Sequence, residues 1–292
     1  MNKADPSAKV VLVTGAGAGI GYALSCELAA RGHVVYAGVR DMERGRRDYA
    51  DLLGNDACRL QLVQLDVNRP PHVRKVLRQI IRTESRLDQL VNNAGFGMYG
   101  AFEELSDQDF RSQFETNFFS VLELCRSVIP IMRQQGQGQI YNISSILGLQ
   151  ALPTGTAYTS SKFALEAFSE SLRYELDPFG IQVVLIEPGL IRTNFKTNMQ
   201  LADSSSRADS PYRFLNQMIQ RDYNGINTSK EAAAQRLAAI MSVSRPKTRY
   251  RIGLDSHLLR WFQILTPERL RDVLVRMTLR RKFKPAGRVD QI

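Results

Sequence analysis

The sequence predicts an α/β fold in which helices cover both faces of a doubly wound parallel sheet. Through about residue 190, short apolar runs of strand length alternate with longer segments of helical periodicity, which is typical of consecutive βαβ units. The chain has 292 residues, 43% of them hydrophobic, enough for one domain with a large core. No internal repeat and no long linker divides it, so a single domain is expected.

The elements follow one another in a regular order. Strands are expected at Val10–Val13, Val34–Ala37, Leu60–Leu65, Leu87–Val91, Gln139–Ile143, Val183–Ile186 and Arg249–Ile252. Helices are expected at Gly19–Ala30, near 42–53 and 70–83, and at Phe110–Met132, Thr156–Leu176, Lys230–Ser242, His257–Phe262 and Pro267–Arg281. Residues 196–212 are polar, rich in Ser and Asp and poorly periodic, which predicts a mobile surface loop.

Composition narrows the class of protein. No stretch of about 18 apolar residues occurs, so no membrane-spanning helix is predicted. The apolar run near the N-terminus is too short for a signal peptide. The three cysteines are far apart without a CxxC pair, and the three histidines show no ligand spacing. Disulfides and a metal site are therefore not expected, and a cytoplasmic location is the default.

The net charge of +10 is concentrated at the C-terminus. Residues 245–292 contain thirteen Lys and Arg against four Asp and Glu, a balance of +9 that leaves the first 244 residues nearly neutral. This basic segment fits a solvated helix face, a peripheral contact with an anionic membrane, or a contact with an acidic carrier protein. Nucleic acid is not expected as a partner, because no recognised binding module is present.

A glycine-rich segment joins the first predicted strand to the first predicted helix. In VVLVTGAGAGIG, glycines occupy positions 15, 19 and 21. Such glycines let the backbone turn tightly and approach a pyrophosphate, whose charge the helix N-terminus favours. The spacing is GxxxGxG, not the commoner GxGxxG. It indicates a dinucleotide site, with a turn needed only for packing as the alternative.

Tyr158 and Lys162 are four residues apart at the start of a predicted helix, so both side chains lie on one helical face. A tyrosine with an ordinary pKa of about 10 is a poor base near neutrality, and a neighbouring ammonium would lower that pKa. Ser145 follows the preceding strand and could donate a hydrogen bond to an oxygen that gains charge. Alone, the YxxxK pair also fits an exposed helix; after a nucleotide-binding segment, it indicates proton transfer.

Taken together and in this order, the motifs match a known family. The chain resembles the compact, single-domain short-chain dehydrogenase/reductases over about residues 8–195, and Glu187-Pro188-Gly189 with the basic tail favours the steroid- and retinol-dehydrogenase-like branch. The resemblance rests on TGAGAGIG (14–21), Asp66-Val67, NNAG (92–95), Asn117, Ser145, Tyr158-x-x-x-Lys162 and Pro188-Gly189-x-x-x-Thr193. Ser145 is preferred to Ser144 because it lies thirteen residues before Tyr158, the separation usual in the family.

The resemblance implies a Rossmann-type fold and a role for each motif residue. Tyr158 would be the general acid/base, and Lys162 would bind the nicotinamide ribose and lower the tyrosine pKa. Ser145 would orient the carbonyl, and Asn117 would hold a water in a proton relay. Other contacts with the cofactor would come from Gly15, Gly19, Ile20, Gly21, Arg40, Asp66, Val67, Asn93, Ala94, Gly95, Pro188, Gly189 and Thr193.

The same resemblance implies a domain plan and an assembly. Residues 8–255 would form the dinucleotide-binding catalytic domain, with a substrate loop at about 194–225. Residues 256–292 would form a short, basic, helical extension packed on that domain. The long helices 110–132 and 156–176 would pair copies of the chain into a homodimer or homotetramer.

The end of the second predicted strand favours NADP(H) over NAD. An acidic side chain there accepts hydrogen bonds from a ribose 2′-hydroxyl, whereas an arginine binds a 2′-phosphate. In HVVYAGVRD the position that is acidic in NAD-type relatives is Val39, and Arg40 follows it. Asp41 and Glu43 are interpreted as the beginning of the next helix, where acids are expected.

The substrate side is expected to be apolar. Leu147, Leu149 and Leu152 lie between Ser145 and Tyr158, which favours a small lipophilic carbonyl or alcohol (steroid, retinoid, fatty-acyl or polyketide-like) over a sugar; core packing explains the leucines as well. Two other functions are weighed. An epimerase or dehydratase of the extended relatives would carry GxxGxxG and a larger C-terminal domain. A non-catalytic NADP-sensing protein would typically lose Tyr158 or Lys162.

Overall fold

Seven strands form one parallel sheet in the computed structural model of the chain. The structure describes residues 8–55, 58–192, 199–207, 209–213, 215 and 228–282. The strands are β1 (Val10–Val13), β2 (Val34–Val39), β3 (Leu60–Gln64), β4 (Gln89–Asn92), β5 (Gly97–Tyr99), β6 (Gly138–Ile143), β7 (Ile181–Pro188), β8 (Ile191–Arg192), β9 (Met199–Leu201), β10 (Thr228–Ser229) and β11 (Arg249–Ile252).

The order across the main sheet is β3-β2-β1-β4-β6-β7-β11. The chain first builds outward from β1 to β3 and then crosses to β4 on the other side of β1. This reversal places a crevice at the carboxyl ends of β1 and β4, where open α/β sheets bind their ligands. The seven strands are those that the alternating pattern predicts, and the doubly wound fold class is confirmed.

Helices cover both faces of this sheet. They are α1 (Gly19–Ala30), α2 (Met42–Asp48), α3 (Ala50–Leu53), α4 (Pro70–Glu84), α5 (Asp107–Phe114), α6 (Ser120–Gln135), α7 (Thr156–Leu176), α8 (Lys230–Met241), α9 (Leu254–Leu265) and α10 (Glu268–Lys282). One face packs against α4, α6 and α7 through buried residues such as Leu77, Val128 and Leu165. The other packs against α1 and α8 through Leu24, Leu28 and Leu237. None of the helices in the described residues is long and apolar enough to cross a bilayer.

The structure differs from the expected elements in three places. The helix expected near 42–53 is two short helices, α2 and α3, which meet at the buried Tyr49. The helix expected at Phe110–Met132 is interrupted by a π-helical turn at Glu115–Phe119. The prediction of a loop at 196–212 is wrong for its described part, since β9 pairs with β5 and Ala202 is buried. A strand of three residues is too short to show an alternating pattern in the sequence.

Candidate active site

The glycine turn between β1 and α1 is built for close backbone approach. Gly15 has φ +64°, and a Cβ there would lie 2.7 Å from the Ala94 Cα. A Cβ on Gly21 would lie 2.4 Å from the Asn93 Nδ2 and 2.6 Å from the Gly15 carbonyl oxygen. Neither position therefore accepts a side chain. The first turn of α1 has neither a side-chain cap nor an acidic residue, so its amides are available to an anion.

The NNAG segment after β4 braces this turn. Asn93 Nδ2 donates to the carbonyl oxygen of Thr14 at 2.9 Å and to that of Gly15 at 3.2 Å. The backbone N–H groups of Asn93 and Ala94 both donate to Thr14 Oγ1 at 3.0 Å. Gly95 approaches Asn117, because a Cβ there would lie 3.1 Å from its Oδ1. The segment thus holds the glycine turn in place across the β1–β4 crevice, and Thr14, the first residue of TGAGAGIG, supplies the hydroxyl that both amides bind.

Ser145, Tyr158 and Lys162 converge beyond the carboxyl ends of β4 and β6. Ser145 begins a short 3-10 turn after β6, and its side-chain oxygen accepts from the Leu147 N–H at 3.1 Å. Tyr158 lies in the first turn of α7, and Lys162 follows one turn later; all three side chains are buried. Lys162 Nζ donates to the Ile143 carbonyl oxygen at 2.8 Å and lies 5.9 Å from the centre of the Tyr158 ring.

Burial controls the ionisation of this pair. It raises the pKa of Tyr158 to about 12, against a hydrogen bond with Ser145 that lowers it. It also lowers the pKa of Lys162 to about 8, against the attraction of Glu166. The lowering of the tyrosine pKa that the sequence leads us to expect is therefore not seen. The lysine ammonium is bonded to a backbone carbonyl, and its distance from the tyrosine ring is too large to offset desolvation.

A small two-stranded sheet covers Tyr158, and no sequence motif indicates it. The parallel pair β5–β9 joins Gly97–Tyr99 to Met199–Leu201. The ring of Tyr99, the last residue of β5, lies 5.6 Å from that of Tyr158, with the planes inclined by 32°. Only 6% of Tyr158 is exposed. Tyr99 is therefore one of the groups that desolvate the phenol.

Asn117 lies in the π-helical turn and is 1% exposed. Its Oδ1 accepts from the Phe96 N–H at 3.1 Å, and its Nδ2 donates to the Phe96 carbonyl oxygen at 2.9 Å. Both ends of the amide are thus occupied by backbone. The role of Asn117 in a proton relay through water stays a prediction.

A buried charge network continues from Lys162 along α7. Arg249 Nη1 on β11 lies 2.6 Å from Glu166 Oε2 and 2.5 Å from Glu187 Oε1 on β7. Arg251 Nε lies 3.1 Å from Glu187 Oε2, an ion pair without hydrogen-bond geometry. Glu187 is fully buried, and burial raises the pKa of Glu166. Two arginines counted in the basic C-terminal segment are thus used inside the domain, and sequence spacing could not show this.

The region expected to select the cofactor lies after β2. Val39 is the buried last residue of that strand, and Arg40 is exposed. No hydrogen bond or ion pair engages Arg40 within the part of the chain that the structure describes. Asp41 caps α2 by accepting from the Arg44 N–H at 3.0 Å, and Glu43 is in its first turn. The interpretation that both acids begin the next helix is confirmed.

Asp66 and Val67 follow β3 at the same edge of the sheet. Val67 is buried. Asp66 Oδ1 accepts from the Asn68 N–H at 3.1 Å, and Oδ2 lies 3.4 Å from Arg69 Nε. Asp66 therefore caps the turn that leads into α4, and a contact between it and an adenine stays a prediction.

The Pro188-Gly189 turn at the end of β7 is held by Asp255, at the start of α9. The N–H of Gly189 donates to the Ile252 carbonyl oxygen at 2.8 Å, and that of Leu190 donates to Asp255 Oδ2 at 2.5 Å. A Cβ on Gly189 would overlap the Asp255 carboxylate at 2.2 Å. Thr193 and most of the expected substrate loop at 194–225 lie outside the described residues.

The candidate substrate leucines flank the loop between Ser145 and Tyr158. Leu147 is half-buried, whereas 43% of Leu152 is exposed. Helix α9 packs on this loop, because Gln263 Nε2 donates to the Leu149 carbonyl oxygen at 2.5 Å. In the same loop Thr154 has φ +65°, a left-handed conformation that costs a β-branched residue on the order of 1–3 kcal/mol. Strain of this kind occurs at functional sites.

The chain is similar in sequence and fold to known proteins. The sequence model of the short chain dehydrogenases matches residues 9–203. A 3-ketodihydrosphingosine reductase of Bacteroides thetaiotaomicron is 34% identical over 84% of this chain and 88% of its own length. Retinol dehydrogenase 8 of Bos taurus is 33% identical over 83% of this chain and 81% of its own length. The closed form of a serine dehydrogenase complexed with NADP+ is 26% identical, with a TM-score of 0.71, and covers 85% of this chain and 95% of its own.

Proposed function

The chain belongs to the short-chain dehydrogenase family and is an oxidoreductase of that family, and we propose that it uses NADP(H) to interconvert a carbonyl and an alcohol on a lipophilic substrate. The observation that carries the proposal is the convergence of Ser145, Tyr158 and Lys162 at the crevice where the strand order reverses. Residues 8–255 act as the catalytic domain in this account.

The residues of the crevice fit a dinucleotide. The cradle formed by Gly15 and Gly21 excludes side chains, and the uncapped N-terminus of α1 favours a pyrophosphate. The exposed Arg40 would bind a 2′-phosphate, and the NADP+ complex of the serine dehydrogenase supports this choice. Lys162 would exchange its bond to Ile143 for the nicotinamide ribose. When bound, the cofactor would supply the hydride; backbone amides and side chains of the chain would bind it, orient the carbonyl and move the proton.

Tyr158 would move the proton. A phenol whose pKa is raised to about 12 is protonated at neutral pH, so it is ready to donate to a carbonyl oxygen that receives negative charge. Ser145 would donate a second hydrogen bond to the same oxygen. The opposite direction requires a phenolate, which burial disfavours. The protonated phenol is the form that reduction needs, and the name of one relative, a reductase, supports testing the chain in that direction.

The lipophilic substrate is proposed from the lining and from the relatives. The ring of Tyr99 packs beside the buried phenol, and Leu147 and Leu152 lie in the loop between Ser145 and Tyr158; apolar walls favour apolar ligands. The names of the two relatives specify a ketosphingoid base and a retinol.

Pairing of copies through α6 and α7 is also proposed, since Phe119, Phe163 and Tyr174 on or beside these helices are 44–68% exposed. Exposed aromatic side chains of this kind are enriched at interfaces.

The test is consumption of NADPH, followed at its absorbance band, with a matched series of ketones. Long-chain and cyclic apolar ketones should be reduced with a higher kcat/KM than short hydroxylated ones, and NADPH should be preferred to NADH. Epimerisation or dehydration of the substrate, with the carbonyl retained and no net consumption of NADPH, would contradict the proposal. Binding of NADPH without turnover of any substrate in the series would favour a sensing protein.

A further inference from the structure

Helices α9 and α10 turn hydrophobic side chains toward solvent. Half of the large hydrophobic side chains that are exposed among the described residues belong to these two helices. On α9 the stripe consists of Leu254, Leu258, Trp261 and Leu265, each 60–73% exposed. Their spacing of four, three and four residues puts them on one helical face. On α10, Leu270, Val273 and Met277 are 46–49% exposed at similar spacing.

This orientation is the reverse of that of an ordinary surface helix. The side of α9 that meets the domain carries the polar Ser256 and Gln263 beside the half-buried Leu259, with Ser256 Oγ bonded to the Gly253 carbonyl oxygen, so most of the apolar surface of the helix is left outside. A helix of a soluble domain normally buries its apolar stripe. A contiguous exposed apolar surface of this kind marks an interaction site. The seven side chains of the two stripes are called the docking face below.

Charge decides which partner the docking face suits. Residues 254–292 contain nine Lys and Arg against four Asp and Glu, and Asp255 is already bonded inside the domain. Arg269 and Arg276 are exposed on the same helix as the α10 stripe. A second copy would bring like charges together at such a face, whereas an anionic surface would complement them. An apolar stripe with basic neighbours and a tryptophan is the composition of helices that lie in a lipid interface.

We propose that the docking face binds the surface of an anionic lipid bilayer, with the apolar stripes inserted among the lipids and the arginines at the headgroups. The position of α9 connects this contact to the active site. Gln263 holds the Leu149 carbonyl oxygen, in the loop between Ser145 and Tyr158. Docking therefore holds the loop that leads to Tyr158 across α9 from the lipid, one helix diameter (~10 Å) away, so an apolar substrate has a short path from the bilayer. Only this last step depends on the proposed function; the binding itself does not.

The chain contains its own probe for this contact. Trp261 is the only tryptophan and is 60% exposed in the middle of the α9 stripe. Full-length protein without cofactor or substrate is mixed with vesicles of phosphatidylcholine alone or with an equal amount of phosphatidylglycerol. With the anionic vesicles, the emission of Trp261 should shift to the blue and should be quenched by brominated acyl chains. The binding should weaken as salt is added, because the charges are screened.

Matched variants distinguish the contribution of the docking face to vesicle binding from the general effect of adding or reversing a charge. Leu258→Asp should weaken binding to anionic vesicles about tenfold or more, because it removes a side chain that enters the lipid. Arg269→Glu combined with Arg276→Glu should weaken it similarly. The controls are Val243→Asp, an apolar residue that is 43% exposed outside the docking face, and Arg78→Glu on the exposed side of α4. Both should bind as the unmodified chain does.

Four results would overturn the proposal. The first is an emission spectrum that does not change when anionic vesicles are added at low salt, and the second is equal binding to neutral vesicles. The third is that the docking-face variants and the control variants affect binding equally. The fourth is a stable dimer in which the Trp261 emission is blue-shifted without lipid. The last would assign the face to a second copy. Because vesicle binding is measured without turnover, its failure is distinct from failure to reduce ketones with NADPH.

Discussion

Lys162 is a buried, charged residue. The free-energy cost of burying its ammonium group distinguishes a catalytic role from a structural one. Its folded pKa of about 8 lies below the ordinary 10.5, so the folded state binds fewer protons than the unfolded state between these values. The burial of the ammonium therefore opposes folding below about pH 8, and this opposition is relieved as the pH rises from 8 to 10.5. A lysine placed only for stability would not be buried in this way.

Lys162→Met should leave the melting temperature at pH 7 unchanged or higher, because an apolar side chain of similar length removes the cost of the buried charge. Turnover should fall about 100-fold or more, since the nicotinamide ribose and the phenol lose their cation. Lys75→Met, at an exposed position of α4, is the control and should change neither quantity. A large loss of stability with turnover retained would contradict the catalytic assignment.

Arg40→Ala should weaken NADPH far more than NADH. The change removes the partner of the 2′-phosphate, and a charge-assisted contact of about 1.5–3 kcal/mol corresponds to roughly a ten- to hundredfold loss in affinity. Arg44→Ala is the matched control, because Arg44 is on α2 and is paired with Asp48. Dissociation constants for both cofactors, measured by fluorescence, decide the point. Equal losses for NADPH and NADH would show that Arg40 does not bind the phosphate.

Single residues could be predicted from the sequence when they belong to local motifs. Tyr158, Lys162 and the glycines are such cases. Tyr99, Asp255 and the Glu187–Arg249 pair were missed because their partners are 59, 65 and 62 residues away in sequence. No spacing rule relates residues that meet only after the sheet has formed. The pKa of Tyr158 was expected in the wrong direction because burial, which outweighs the neighbouring cation, is a tertiary property.

At the scale of elements, the β5–β9 pair controls the environment of the phenol. Tyr99→Ala should expose Tyr158 and bring its pKa down from about 12 toward the ordinary 10, since desolvation is what raises it. The pH at which the rate of ketone reduction declines should then fall. The pH dependence of kcat/KM tests this, with Phe179→Ala, a 42% exposed aromatic residue that follows α7, as control. An unchanged profile would show that Tyr99 does not set the pKa.

Besides its backbone pairing with β7, strand β11 is joined to α7 and β7 by ion pairs between side chains. Arg249→Met would leave Glu166 without its close cation and Glu187 with only Arg251. Breaking a buried pair in this way costs about 3–5 kcal/mol of unfolding free energy, and the remaining Arg251 should keep the loss near the lower end. Chemical denaturation measures it. Arg245→Met, at an exposed position just before β11, should have little effect; an equal loss would refute the structural role of the network.

Helices and strands could be predicted from the sequence when they were long enough to show a regular hydrophobic pattern. All seven strands of the main sheet and the long helices α1, α4 and α7 were located from apolar runs and helical spacing. The pairs β5–β9 and β8–β10 have two or three residues a strand, which is too short for a pattern. The π-helical turn was also missed, because its five residues, Glu115–Phe119, are too few to show a period of their own.

The whole molecule combines a nearly neutral catalytic sheet with a basic, outward-facing helical pair. The strand order is accessible from sequence because right-handed βαβ connections leave few alternatives. The excess of basic residues at the C-terminus is also visible in the sequence, but the sequence does not show what these residues contact. Only the fold shows that Arg249 and Arg251 serve internal carboxylates while the stripes of α9 and α10 face outward.

The most direct test of the account is Tyr158→Phe, with turnover and cofactor binding measured on the same preparation. The fold and the glycine cradle should be unaffected, so NADPH at about 100 times its dissociation constant should stabilise the variant by about 2.7 kcal/mol, as it does the unmodified chain. Ketone reduction should fall about 10²–10⁴-fold, because only the proton donor is removed. A variant that binds NADPH normally and keeps more than about a tenth of the rate would contradict the role of Tyr158.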